Sequence, residues 1–266
     1  MSMIRVLDAK RGTLAEIRPA VPGLLRVCAH LPEHDRPEDI TDLRVLLVAD
    51  LLTRAAELSH QQTLVAVHSC GQSGSHAETL AGRVAALGIH APAAQARCRD
   101  AQVALGGPID VHLVSGGDAT GDLDGQYVSI GPARLPATGD GSADARAAEA
   151  SAWPSREPLA VRFALLSSPY HRPAEIAREL LADAVRTLDE WRTLVAEWAE
   201  LPSRPVPPHL AEAARAAFRD LDAVSALGLL RTLVSDTATA GGAKFETFVY
   251  ADRVLGLEFA KRIGQL

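Results

Sequence analysis

An α/β domain built on a parallel sheet and followed by a helical bundle is the architecture that this sequence predicts. Three observations carry it. Short apolar runs alternate with amphipathic stretches through the first half, in the order strand, helix, strand, helix. Thr63–Val67 is an apolar run between polar residues, the pattern of a strand buried on both faces. Beyond Pro158 the composition shifts to long stretches of helical periodicity. The division falls near residue 150, with the sheet domain in residues 1–150 and the bundle in residues 151–266.

The elements follow in order. Apolar runs at Ile4–Leu7 and Leu24–Cys28, separated by charges and the turn-forming Pro22–Gly23, read as strands. Residues 30–42 are polar with two prolines and form a loop, and Asp42 can cap the next helix. Residues 43–58 suit a well-buried helix. Ser69–Ser75 is a Gly/Ser loop, and His76–Leu87 a second amphipathic helix that Gly88 ends. Ile109–Val114 is a further strand. The Gly-, Asp- and Ser-rich residues 115–157 contain one strand-like run, Gln126–Ile130, and their low-complexity portion 137–151 is expected to be mobile. Leu159–Leu166, Glu175–Leu201, His209–Asp220 and Ala223–Thr237 are the helices of the bundle, the middle two separated by the proline-rich Pro202–Pro208.

Composition narrows the function. Hydrophobic residues make up 47% of the 266, enough for a real core, but aromatics are only 4%, so Leu, Val and Ala must fill it. The net charge of −6 argues against a generally basic surface for DNA, although a local arginine patch stays open. Cys28, Cys70 and Cys98 show no CxxC spacing and read as reduced thiols. No signal core and no membrane-spanning stretch is visible, so a cytoplasmic protein without membrane contact is expected. The only lysines are Lys10, Lys244 and Lys261.

Three stretches carry a family likeness. In Arg26–Arg54, Val27-Cys28-Ala29 stands at a strand end and Asp50-Leu51-Leu52-Thr53-Arg54 closes a long apolar helix. Pro158–Leu181 has a Leu-Arg-type helix running into Leu-Leu-Ser and Tyr170-His171-Arg172, and is the most specific of the three. Phe218–Leu233 with Val254–Leu257 is the third. Together they resemble the class I cysteinyl-tRNA synthetases, including the mycothiol-pathway cysteine ligases, toward which Trp191-Arg192 leans. The resemblance implies a trimmed Rossmann-like catalytic domain with a helical bundle, and ATP or another adenosine nucleotide as cofactor.

The motifs that do the family's chemistry have decayed. Adenylation is positioning plus electrostatics, so its cations matter. Asp39-Ile40-Thr41-Asp42 stands where the resemblance places the HIGH-type motif, and two carboxylates there would repel a triphosphate. They cap a helix or contact a less anionic ligand. Gly125–Gly131 stands in place of the lysine-bearing KMSKS loop. Only Ser129 agrees with it, and Arg134 offers a nearby cation. Asp110-Val111-His112 with Gly116-Gly117-Asp118 echoes the family's Asp-Ile-His-Gly-Gly-Gly-x-Asp. Of the family's zinc ligands only Cys28 is present, so no zinc is expected and Cys28 reads as a core cysteine. Cys70, with His68 and His76, reads as loop, nucleophile or partial metal site. His30 and His34 sit four apart in a loop, not on one helix face.

The candidate ligand-binding residues are therefore Asp39, Thr41, Asp42, His112, Gly116, Gly117, Asp118, Ser129 and Arg134. The function expected is that of a cysteinyl-tRNA synthetase-like paralogue that binds a nucleotide, aminoacyl or tRNA-type ligand without ordinary cysteine activation. Two others stay open. One is a working ATP-dependent ligase or aminoacyl transferase with relocated groups. The other is an interaction subunit, with a protein partner or a second copy of the chain.

Overall fold

The computed structural model describes residues 3–31, 40–69, 74–95, 100–115, 124–136, 153 and 156–265. The segment 137–151, expected to be mobile, lies outside them. So do Asp39, Gly116, Gly117 and Asp118 among the candidate residues, and Cys70, Cys98 and His34.

The chain opens with an antiparallel pair, β1 (Arg5–Asp8) and β2 (Thr13–Glu16). The α/β winding follows: β3 (Leu24–Leu31), α1 (Thr41–Leu58), β4 (Gln62–Ser69), α2 (Gly74–Ala86), β5 (Ala94–Gln95), the one-turn α3 (Ala101–Ala104), β6 (Val111–Ser115) and β7 (Gln126–Ile130). Among the described residues these strands form a seven-stranded sheet in the order β2-β1-β7-β6-β3-β4-β5. Strands β3 to β7 pair in parallel, as expected. The chain winds outward from β3 to β5, then crosses back to β6 and β7. Its direction reverses between β3 and β6, where an open parallel sheet leaves a crevice beyond its strand ends. The domain is a Rossmann-like α/β fold.

The bundle follows. A two-residue strand β8 (Ala133–Arg134) pairs with β9 (Ala174–Glu175), and between them lies α4 (Leu159–Leu166). Then come α5 (Arg178–Ala199), α6 (Pro208–Arg219), α7 (Ala223–Ser235) and α8 (Gly241–Leu255). Pro208 opens α6 at a position where no backbone donor is missed, and Asp222 caps α7 by accepting from Ser225 N at 2.9 Å. No helix among the described residues is long and apolar enough to cross a membrane.

Alternation along β3 gives the sheet two unlike faces. Val27, Ala29 and Leu31 belong to the large core shared with α1 and the bundle. Cys28 faces the other way, in a small cluster with Ala66, Ala101, Leu105 and Ile109. The first face is sealed by α1, which is buried along most of its length.

A buried ion cluster fastens α1 to the bundle. Asp50 Oδ2 accepts from Arg162 Nη2 at 2.6 Å and from Arg54 Nε at 2.8 Å. Asp50 Oδ1 meets His90 Nδ1 at 2.6 Å. Arg162, fully buried on α4, also donates to the carbonyls of Leu255 and Leu87 at 2.6 and 3.0 Å. Each of the three guanidinium nitrogens thus meets an acceptor.

Candidate functional site

Sequence periodicity places the site. In β3, Cys28 and His30 are two apart and share a face. Parallel register sets Cys28 opposite His112 on β6 and His30 opposite His68 on β4. His112 in turn lies opposite Tyr127, and Ser129 opposite Val114, on β6 and β7. A row of imidazoles, one thiol, a phenol and a hydroxyl therefore runs along the sheet face away from the large core. It spans the β3/β6 reversal.

At the centre of the row the donor atoms of Cys28, His30 and His112 all lie within 4.8 Å of one another. His112 Nε2 is 2.9 Å from the Asp124 carbonyl oxygen. A carbonyl only accepts, so this nitrogen carries the proton and Nδ1 presents its lone pair. His112 Nδ1 is 2.9 Å from His30 Nε2, which must then be the donor. Tyr127 stacks on the His112 ring at a centroid distance of 5.1 Å, and Lys10 Nζ sits 4.3 Å above the Tyr127 ring. His68 meets His30 edge-on at 5.4 Å.

Burial sets the protonation. It is the main cause, with the nearby His112 and His68 adding to it, that pushes the His30 imidazole down to about 4. Burial likewise lowers His112, against the opposing pull of the Asp124 carbonyl and with help from Lys10. Both rings are therefore neutral near pH 7, the state in which imidazole donates a lone pair.

Two local devices hold His112. Asp110 immediately precedes β6 and accepts from the backbone N–H groups of Ala20 and Arg26 at 2.7 and 2.8 Å, which locks β6 beside β3. Gly125 has φ +115°, and a Cβ there would lie 2.6 Å from the Ile109 carbonyl and 3.3 Å from His112 Cδ2. Glycine is what lets the 124–126 turn approach the imidazole.

The other described candidates, Thr41, Asp42 and Arg134, lie along a separate seam. Thr41 Oγ1 accepts from Ala133 N at 3.0 Å, next to Arg134 on β8. Buried Arg44 donates to the carbonyls of Gly131, Arg172 and Pro169 at 2.9, 2.6 and 2.9 Å. That joins the start of α1 to the turn after α4. Arg134 itself is exposed. One reading needs correction. The residue capping α1 is Ile40, with no side-chain cap bond, and Asp42 lies inside the first turn. Its carboxylate there still complements the helix dipole. Gln126–Ile130, read as strand-like, is β7, so Ser129, the residue that agrees with the KMSKS loop, sits in a hydrogen-bonded strand.

His30 is the site residue that sequence reasoning missed. It was assigned to the loop, whereas β3 runs on to Leu31. The signal was present in the alternation Arg26, Cys28, His30 against Val27, Ala29, Leu31.

A cavity of about 360 Å³ lies elsewhere, between β1, α1, α4 and the start of α7, with Leu7, Leu47, Leu51, Leu165 and Leu221 in its wall. Two of its polar neighbours are engaged: Tyr170 Oη accepts from Leu7 N at 2.8 Å, and Asp220 pairs with Arg5. It shares no residue with the imidazole row. No model of a known protein family matches the chain, and no curated protein matches it, so the reading of this site stands on its geometry and on the sequence likeness.

Proposed function

We propose that the protein is a cysteinyl-tRNA synthetase-like paralogue that binds a nucleotide, aminoacyl or tRNA-type ligand in a role other than ordinary cysteine activation. The observation that carries this is the polar row at the β3/β6 reversal, the place where an open parallel sheet offers a ligand crevice. The sequence likeness supports it in one further way. Its two most informative stretches, 26–54 and 158–181, meet through Arg44 and the carbonyls of Pro169 and Arg172. Ordinary activation is disfavoured by what occupies the motif positions, since Thr41, Asp42, Tyr127 and Ile130 supply no cation for phosphate.

The test is a thermal-shift and native mass-spectrometry panel of ATP, adenosine, aminoacyl-sulfamoyl adenosines and charged tRNA. A ligand at about 100 times its Kd stabilises the folded state by about 2.7 kcal/mol, a shift of several degrees in Tm. At least one adenosine-bearing member is expected to do this, while cysteine-dependent pyrophosphate exchange stays at the level of a no-enzyme control. A panel with no shift and no bound species would overturn the reading. Robust exchange would replace it with the working ligase.

A further inference from the structure

We infer that Cys28 Sγ, His30 Nε2 and His112 Nδ1 form a three-ligand site for a divalent transition metal of the zinc class, with a fourth position open among the described residues. Of the zinc ligands that the family resemblance implies, the chain holds only Cys28. This site takes only Cys28 from that set, and the fold supplies two histidines that the set does not contain. It goes beyond the proposed ligand binding and does not depend on it.

The geometry is that of a site needing small adjustment. Bonds of about 2.0–2.1 Å to nitrogen and about 2.3 Å to sulfur put tetrahedral ligand atoms roughly 3.3–3.6 Å apart. The two imidazole nitrogens stand at 2.9 Å and all three donors within 4.8 Å, so side-chain rotations alone reach the required spacing. The donors come from two neighbouring parallel strands, in register, which fixes their backbones more firmly than a loop would. One thiolate and two imidazoles suit a borderline-soft ion and give a calcium- or magnesium-type ion little reason to bind.

The outer shell is already built. His112 donates its other N–H to the Asp124 carbonyl, the partner arrangement that orients a metal-bound imidazole and fixes its tautomer. Tyr127 holds the ring from its face. The proton balance is simple. The metal displaces one proton from Cys28 Sγ to solvent, and the proton on His30 Nε2 is exchanged for one on Nδ1, so that ring remains neutral. Cys28 and His112 are nearly fully buried and His30 is half-buried, so the ion enters from the His30 side. Three protein ligands and an open position are the pattern of zinc that binds water or a ligand, not of a closed structural site.

The test is cobalt(II) titration of the untagged full chain, purified free of metal and without nucleotide. Expected are one cobalt per chain, visible bands of tetrahedral intensity, a sulfur-to-cobalt charge-transfer band, and displacement of all of them by zinc. Cys28→Ser should abolish the charge-transfer band, and a Cys70→Ser/Cys98→Ser double variant should keep it. His112→Asn should weaken cobalt by at least the ~10–100-fold that losing an outer-shell partner costs. Its affinity is readable even if Cys28→Ser fails to fold. Absence of the charge-transfer band in the parent chain would overturn the site. So would its survival in folded Cys28→Ser, its loss in the double variant, or unchanged affinity in His112→Asn. None of these readouts involves the nucleotide panel, so the two proposals fail separately.

Discussion

Two of the polar clusters among the described residues, around Asp50 and around Cys28, are built on opposite principles. Around Asp50 opposite charges meet. One carboxylate faces Arg162 and Arg54, and the leftover donors of Arg162 end on backbone carbonyls. Around Cys28 the groups are neutral lone-pair donors that converge. The first cluster is complete with the chain's own atoms. The second gains from a cation that the chain does not contain. The contrast separates a fastening from a site, although both are buried and both join elements distant in sequence.

The sharpest way to break the comparison is to unbalance the complete cluster. Asp50→Asn leaves the guanidinium of fully buried Arg162 without its counter-charge. Loss of one partner of a buried pair costs about 3–5 kcal/mol. Urea unfolding should show that loss, and Asp50→Leu with Arg162→Met should recover much of it, because a packed apolar pair is often no less stable than a buried ion pair. If the single variant is as stable as the parent, Asp50 is not what fastens α1 to the bundle.

Acid should undo the same cluster. Burial by itself would raise the Asp50 carboxyl, but Arg162 and Arg54, with the His90 N–H, outweigh it and hold it below its ordinary 3.8. A folded-state value below the unfolded one means that the unfolded chain binds the proton first. The contribution is fully present above 3.8 and is lost as pH falls through the lower folded value. Unfolding free energies measured on either side of 3.8 should show a shallower acid slope for Asp50→Asn than for the parent. Equal slopes would mean that other carboxylates dominate acid unfolding.

These clusters also mark how far the sequence could be read. β7 and α4 stand where the sequence put them, because a short strand-like run between Gly- and Asp-rich flanks and an eight-residue apolar helix identify themselves. The parallel sheet followed from the strand–helix order. β2, β5 and α3 were not legible. They are two to four residues long, and pairings such as Arg5 with Glu16 define them more than their own composition does. α8 was seen only as a fragment of family likeness, since Gly241 and Gly242 blur its start. Cys28 and His112 were each singled out, but their meeting depends on β6 lying beside β3, a neighbour relation between residues about eighty positions apart that no local pattern reveals. Asp50 and Arg162 met for the same reason, and neither had been singled out for it.

Gly125→Ala should break the site without touching a ligand. The substitution puts a side chain at φ +115° and a Cβ 2.6 Å from the Ile109 carbonyl. Strain of this kind costs about 1–3 kcal/mol unless the turn moves. If the turn moves, the Asp124 carbonyl leaves His112 and the imidazole loses its orientation. A melt should therefore register a loss smaller than that of Asp50→Asn, together with cobalt affinity lowered by about 10–100-fold. Unchanged affinity in the destabilised variant would show that His112 does not rely on Asp124.

The smallest effect is expected at His68, and it sharpens the comparison most finely. His68 is opposite His30 in register and its ring touches His30 edge-on, so proximity alone would make it a fourth ligand. Yet the group whose donor atoms converge is Cys28, His30 and His112. An edge contact at 5.4 Å supports the His30 ring as a neighbour does, without sharing the donors' meeting point. His68→Ala should therefore keep both the charge-transfer band and the tetrahedral intensity of bound cobalt. Affinity should shift by less than about tenfold, below the range for lost outer-shell partners. Collapse of the visible bands in this variant would mean that His68 fills the fourth position, and that the site is closed and structural instead of open to a ligand. The same titration thus decides whether the second cluster differs from the Asp50 cluster in being left incomplete, or only in the chemistry that completes it.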